Sequence, residues 1–440
     1  MKHAFKLPPK WRSIGLALSL AAVCSAQGLE RLEPAAGTYL GFTVGSVKSI
    51  PELNARLGFA PAVYVQFFHF EMTAVIRREL TNFLAQVAEV QAIALLTLEP
   101  WNGLETVTQK SCREIAQICA NAEAQGIGGI IIRFAHEMNG NWYAWGQQPF
   151  LYKEKFRLLA QSIHSMTTRS AMLWAPNYGV GYPFERLVPP PGSSDYLALD
   201  TNKDGQITTR DDPYEPYYPG DDVVDWVGMT LYHWGRQFPW GENEMPEPGS
   251  LAGALTGTFQ GSVPNFYARY CQAGGKPFAI AETAAFYNTQ APGPAELDLK
   301  QAWWRQIFNT IPRFPMVKCV NWFDEFKPEP IANNDLIDWR ITSDPAIRTA
   351  FLQDLHNGGQ FLLTADDLQR PALAISRHAS QVLLHWTSRI DHQYQLFSTE
   401  DLKKWTRIGH PIAGTGGELR ASFQMGTSGA EIYRLEVLRP

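Results

Sequence analysis

The chain has 440 residues, 45% of them hydrophobic and only 18% charged, with a formal net charge of −5. That composition supplies a full-sized core with material left for a second module, so a single domain is not expected. No basic stripe is present to hold nucleic acid, and the weak net charge points to no strongly acidic or basic partner.

The first 26 residues read as a secretory signal. Lys2, Lys6, Lys10 and Arg12 give a basic start, 14–23 is apolar, and Cys24, Ser25 and Ala26 close it with small residues. The apolar run is too short to span a bilayer well, so no membrane span is expected. Its removal would take away those four positive charges and move the formal balance from −5 to −9. The expected location is outside the cell or in the periplasm, with lipidation at Cys24 as the alternative, and the expected state is a monomer. Cys112, Cys119, Cys271 and Cys319 would survive processing. Cys112 and Cys119 fall on one predicted helix, roughly 10 Å apart along its axis and too far to bridge, so the thiols are read as packed and free.

From 27 to 358, short β-rich runs alternate with helical stretches. Strands are predicted at 39–44, 62–68, 92–98, 129–134, 171–176, 224–231, 277–281 and 317–322, and helical spacing is clearest at 108–125, 153–166 and 295–310. This α/β alternation predicts a (β/α)8 TIM barrel, whose catalytic groups sit where strands end and loops begin. Inside it, 200–211 fits the order of a calcium loop. Asp200, Asn202, Asp204 and Asp211 would supply side-chain oxygens, Gln206 its carbonyl, and Gly205 the turn. Asp211 in the last position resembles the loop of dockerin modules, but Pro213 stops any exit helix. The other reading is a polar turn without metal. Calcium, if bound, is expected to be structural, with no cofactor needed for catalysis.

After Gly358 and Gly359 the helical period disappears. Short alternating runs from 372 to 437 predict a small all-β sandwich over 365–440. Trp386 and Trp405 are expected in its core. The 394–405 stretch and the closing Tyr433, Arg434 and Leu435 resemble the C-terminal sandwich of many exported bacterial proteins.

The strongest chemical signal is Arg133-Phe134-Ala135-His136-Glu137-Met138-Asn139-Gly140-Asn141-Trp142-Tyr143-Ala144-Trp145-Gly146, directly after the apolar 129–132 run. A zinc protease would need a second His at 140, where this chain has Gly140. Glu137 therefore reads as a lone carboxylic acid at the end of the fourth strand. Glycoside hydrolysis needs a second carboxyl group across the scissile bond. Glu282, which ends the predicted seventh strand, supplies it.

The segment around Glu137, the 219–228 run and Ala281-Glu282-Thr283 resemble glycoside hydrolase family 26. The resemblance covers roughly 36–356. It implies that Glu137 is the acid/base and Glu282 the nucleophile of a retaining endo-β-glycosidase acting on a β-linked polysaccharide or oligosaccharide. β-1,4-Mannan is the first expectation, with mixed-linkage β-1,3-1,4-glucan or β-1,3-xylan as alternatives. Many mannanases of the family carry Trp-Phe-Trp-Trp where this chain has Trp142-Tyr143-Ala144-Trp145. Tyr232 resembles the tyrosine that bonds the nucleophile, and His136 the histidine that precedes the acid. Trp142, Trp145, Trp174, Trp234 and Trp322, at or near strand ends, are candidates for stacking on sugar faces. Asn177 and Arg133 are candidate supports, and Glu99 is a third carboxylate at the mouth. Two other classes stay open: a catalytically inactive carbohydrate-binding barrel, and an envelope scaffold working through its C-terminal sandwich.

Overall fold

Strands that are apolar on both faces can only be buried on both faces, which is what the 129–134 run Gly-Ile-Ile-Ile-Arg-Phe demands. The computed structural model describes residues 29–438, apart from 46, 48, 237, 239, 369–373, 379–380, 389–392, 401–403, 416–417 and 425–431. The predicted signal segment 1–26 lies outside the described residues.

Eight parallel strands close into a barrel: β1 Thr38–Thr43, β2 Val63–His69, β3 Ile93–Glu99, β4 Gly129–Phe134, β5 Ser170–Trp174, β6 Trp226–Thr230, β7 Phe278–Thr283 and β8 Val317–Trp322. β8 pairs back onto β1, with Tyr39 opposite Cys319 and Phe42 opposite Trp322. All eight coincide with the predicted runs to within a few residues. Outer helices are α1 Ile50–Leu57, α2 Ala74–Glu89, α3 Gln109–Ala124, α4 Pro149–Met166, α5 Ser194–Leu199, α6 Ser250–Thr256, α7 Glu296–Thr310 and α8 Pro345–Gly358. The start of α3 shows why it begins there. The Thr108 hydroxyl accepts from the Ser111 N–H while the Ser111 hydroxyl accepts from the Thr108 N–H, so two otherwise unpaired donors are satisfied.

Alternation along each strand divides the core in two. Val63, Val65, Ile93, Leu95, Ile131, Leu173, Trp226 and Ala279 fill the barrel interior. The opposite faces pack outward against the helices in a much larger cluster. All four expected thiols are buried and free. Between β8 and α8 the chain adds a hairpin, β9 Phe326–Glu329 and β10 Asp335–Asp338, that no sequence period announced.

After α8, β11 Leu362–Leu363 lies parallel to β1. The remaining strands, β12 Ala374–His378, β13 Gln381–Thr387, β14 Gln393–Thr399, β15 Thr406–Ala413, β16 Glu418–Gln424 and β17 Ile432–Leu438, form two antiparallel three-stranded sheets in the orders β12-β13-β16 and β15-β14-β17. Val382, Leu384 and Trp386 from one sheet and Tyr394 and Leu396 from the other share a buried core. Trp405 is half-buried, with the Arg434 guanidinium 4.5 Å from its ring centroid.

Candidate active site

The acid-bearing turn leaves β4 under strain. Ala135 and Glu137 both hold left-handed backbone, at φ 45° and 54°, a conformation that costs a side-chain-bearing residue energy unless its surroundings enforce it. Two backbone bonds do so: Ala135 N–H donates to Leu98 on β3 and Glu137 N–H to Ala175 beyond β5, each at 2.9 Å. Farther along, the Asn139 amide grips Asn177 twice, accepting from its N–H at 2.8 Å and donating to its carbonyl at 2.9 Å. Asn177 thereby acts through its backbone, while its side chain stays half-buried. Glu137 is held at the barrel mouth, and the Trp142 indole Nε1 donates to its Oε2 at 2.9 Å.

Glu282 sits near the end of β7, held by two partners. The fully buried Arg133 guanidinium pairs its Nη1 with Glu282 Oε1 and donates from Nη2 to the Thr230 hydroxyl at 2.7 Å. The Tyr232 phenol donates to Glu282 Oε2 at 2.8 Å. Both carboxylate oxygens are engaged, so the side chain has one orientation. Tyr232 and Arg133, both singled out in the sequence, lie against Glu282. Thr230, the end residue of β6, was not singled out; no motif marks it.

Glu137 is raised above the usual carboxylate range, first by burial and then by the charge of Glu282, while Arg133, Thr230 and Trp142 act in the opposite direction. The shift is in the direction a general acid requires. His136 is driven the other way: burial and the neighbouring Arg133 charge hold it well below its ordinary value, so its imidazole is neutral. Its Nε2 lies 3.2 Å from the Tyr143 hydroxyl, and its Nδ1 has no partner among the described residues. The phenols of Tyr143 and Tyr232 stay protonated, pushed up by burial and by the nearby carboxylates.

The expected aromatic platforms divide sharply. Trp142 is 43% exposed and presents a face at the mouth. Trp234 is half-buried among Tyr232, Trp240 and Trp339, with ring centroids 5.7, 6.3 and 4.8 Å away. Trp145 is fully buried; it stacks on Tyr143 at 4.4 Å and donates Nε1 to the His136 carbonyl at 2.7 Å, so it braces the turn from behind. Trp174 and Trp322 depart from the expectation outright. Trp174 is 0% exposed, stacked on Phe266 at 5.5 Å and edge-on to Tyr218 and Tyr270. Trp322 is buried near Trp304 and Phe351 and donates Nε1 to the Trp339 carbonyl at 2.8 Å. The reason is strand parity: Leu173 and Cys319 point into the barrel, so Trp174, one residue on, and Trp322, three residues on, point out to the helices. In their place the mouth offers Trp101, 42% exposed, which meets Tyr143 and Trp145 edge-on at 5.5 and 5.3 Å.

The 200–211 loop folds around its own backbone. The Asp200 carboxylate accepts from the N–H groups of Asp204 and Gly205, and Asn202 Oδ1 from Asp204 N–H. Asp211 accepts from the N–H groups of Thr201, Asn202 and Thr208. Gln206 N–H donates to Asp204, whose other oxygen pairs with Arg210 at 2.6 Å. Among the described residues, no group of three or more His, Cys, Asp or Glu side chains converges as a ready metal centre. No helix among them is long and apolar enough to cross a membrane.

A strained strand-end glutamate followed by a Trp-rich turn is a specific arrangement, and it falls within a segment of known type. Residues 63–201 match the model of glycosyl hydrolase family 26. The match runs from β2 through α5, so it contains Glu137 but stops short of Glu282; it supports the family resemblance read from the motif. Endoglucanase H of Acetivibrio thermocellus is 24% identical over 281 residues, which are 61% of this chain and 25% of that protein. The chain thus spans about a quarter of the length of that curated relative. Among solved structures, an endo-β-1,4-mannanase double mutant of Cellulomonas fimi superposes with a TM-score of 0.49 at 14% identity, covering 89% of this chain and 94% of that one. The catalytic domain of the Bacillus sp. JAMB-750 family 26 endo-β-1,4-mannanase gives a TM-score of 0.46 at 16% identity, covering 75% and 88%.

Proposed function

We propose that this chain is a retaining glycoside hydrolase of family 26 that cuts inside a β-linked glucan or mannan backbone. The observation that carries this reading is geometric: Glu137 and a Glu282 fixed by Arg133 and Tyr232 stand at one barrel mouth, and burial together with the Glu282 charge raises the Glu137 pKa. Two carboxyl groups facing one cleft suit a double displacement, which requires them about 5–5.5 Å apart. A Glu282 oxygen attacks the anomeric carbon, the bond from that carbon to the leaving oxygen breaks, and the Glu137 proton passes to that oxygen. Once the ester has removed the Glu282 charge, ionised Glu137 takes a proton from water. The resulting hydroxide displaces Glu282 from the anomeric carbon, and the starting protonation is restored. Trp142, Trp101 and Trp234 supply the apolar faces of the cleft. Endoglucanase, as the name of the matched relative, supports glucan; the His136–Glu137–Trp142 motif belongs to the family as a whole and does not choose between glucan and mannan.

The experiment is reducing-sugar release from β-mannan, mixed-linkage β-glucan and β-xylan by the wild type, Glu137→Ala and Glu282→Ala. Cleavage of a β-glycan by the wild type and its loss in both variants are the expected result. Turnover unchanged in Glu137→Ala, or no cleavage of any of the three, overturns the reading.

Two further proposals belong here. The oxygen donors of 200–211 suit a hard cation, and we propose calcium held by Asp200, Asn202, Asp204, the Gln206 carbonyl and Asp211. Residues 1–26 are proposed to direct export, which N-terminal sequencing of the processed protein tests.

A further inference from the structure

Glu99 ends β3, level with His69 on β2 and one residue beyond Leu98, which pairs with Phe134 on β4. Its backbone is locked, with the carbonyl accepting from Phe70 N–H at 2.9 Å and Trp101 N–H at 3.0 Å. One carboxyl oxygen, Oε2, accepts the Trp101 indole N–H at 3.2 Å. The other has no protein hydrogen-bond partner among the described residues, and the residue is half-buried, so this oxygen is available to a ligand in the cleft. Trp101, which anchors the carboxyl, belongs to the aromatic wall of Tyr143, Trp145 and His136, and its ring lies 6.3 Å from that of His69. The proposed double displacement gives Glu99 no task. A half-buried carboxyl with one oxygen tethered and one open, beside an exposed indole face, suits a sugar ring that stacks on the indole and offers an equatorial or axial hydroxyl to the acid.

We propose that Glu99 is a substrate-binding residue: its open carboxyl oxygen bonds a hydroxyl of the sugar unit seated against Trp101. This rests on the glycoside-hydrolase reading of the same cleft. The groups facing it are His69 from β2, Arg133 from β4, Glu137 and the Tyr143 phenol from the following turn, Glu282 from β7 and the Trp101 indole. Burial pushes Glu99 up to about 7; the Trp101 bond opposes this, the Glu282 charge adds to it, Arg133 opposes and Glu137 adds. Near neutral pH the acid therefore exchanges between a form that donates to a sugar oxygen and one that accepts from a hydroxyl, which gives substrate affinity a pH dependence that the Glu137–Glu282 chemistry does not require.

The test uses Glu99→Ala, Glu99→Gln and Trp101→Phe in the full chain, assayed for kcat and KM on the glycan the wild type cleaves best. Oligosaccharide affinity is measured by calorimetry in a Glu282→Ala background with and without Glu99→Ala. Glu99→Ala is expected to raise KM and weaken binding by about tenfold with kcat within about threefold, the loss typical of one hydrogen bond to a charged group. Glu99→Gln is expected to recover part of the affinity and to flatten the pH dependence of KM, and Trp101→Phe, which keeps a ring but frees the carboxyl, to raise KM. KM and affinity within twofold of wild type in both Glu99 variants, or a loss confined to kcat, overturns the proposal. Wild-type binding that depends on Glu99 without any hydrolysis sinks the hydrolase reading and leaves this one standing; neither binding nor hydrolysis sinks both.

Discussion

Trp142 donates its indole N–H to Glu137 at 2.9 Å while leaving 43% of its own surface exposed, so one side chain both restrains the acid and faces the cleft. The bond favours ionised Glu137 and works against the burial and the Glu282 charge that raise its pKa. Trp142→Phe removes that opposition, so the Glu137 pKa rises further. A general acid is active below its pKa, and the alkaline limb of kcat/KM is therefore expected to move to higher pH in the variant, with a fall of up to about tenfold at the optimum as the acid loses a hydrogen bond that holds its side chain. A pH–rate profile checks the direction. A shift of that limb to lower pH contradicts the electrostatic assignment.

Arg133 and Glu282 form a pair in which the guanidinium has no exposed surface and the carboxylate 9%. Removing one member leaves the other charge buried without compensation. Arg133→Met and Glu282→Ala are each expected to lower unfolding free energy by about 3–5 kcal/mol. The double variant should lose less than the sum, with a coupling of about 1–3 kcal/mol. Urea unfolding of the four proteins measures this; strict additivity removes the pair from the account of stability.

Trp174 was expected to stack on sugar and instead fills the space between β5 and the outer layer, against Phe266 and Tyr270. Trp174→Leu is expected to cost about 3 kcal/mol through the cavity it leaves, with KM for the glycan unchanged at a temperature where the variant is folded. Trp142→Ala should do the opposite, raising KM with a stability loss below about 1 kcal/mol, as expected for an exposed side chain. Thermal melts and Michaelis constants for both variants decide the assignment. A raised KM in folded Trp174→Leu with a normal melt returns Trp174 to the cleft.

This division shows which parts were legible in the sequence. Barrel strands buried on both faces leave unbroken apolar runs, so Ile130, Ile131 and Ile132 announced β4 without ambiguity. Glu137 was marked by the His136 and Trp142 around it. Unbroken runs, however, erase the two-residue alternation that tells inside from outside, and the facing of Trp174 and Trp322 was lost with it. The roles of Thr230 and Trp101 depend on contacts between separate strands and loops, which leave no local pattern. The β9–β10 hairpin, with strands of four residues each, is too short to show a period.

The 200–211 loop turns at Gly205, whose φ of 86° suits a residue without a side chain, and already directs the Asp200 carboxylate inward onto two N–H groups. Calcium would have to take Asp204 from Arg210, a pair in which the guanidinium is 69% exposed. That exchange is cheap, because an exposed ion pair contributes at most about 1 kcal/mol. Calcium at about a hundredfold above its Kd should then stabilise the folded chain by about 2.7 kcal/mol, read as a melting temperature several degrees higher than in a chelator. Asp200→Ala is expected to abolish the increment, while Arg210→Ala, by freeing Asp204, should increase affinity. A melting temperature indifferent to calcium in the wild type, measured after exhaustive chelation and readdition, leaves the segment a polar turn whose carboxylates serve only its own backbone.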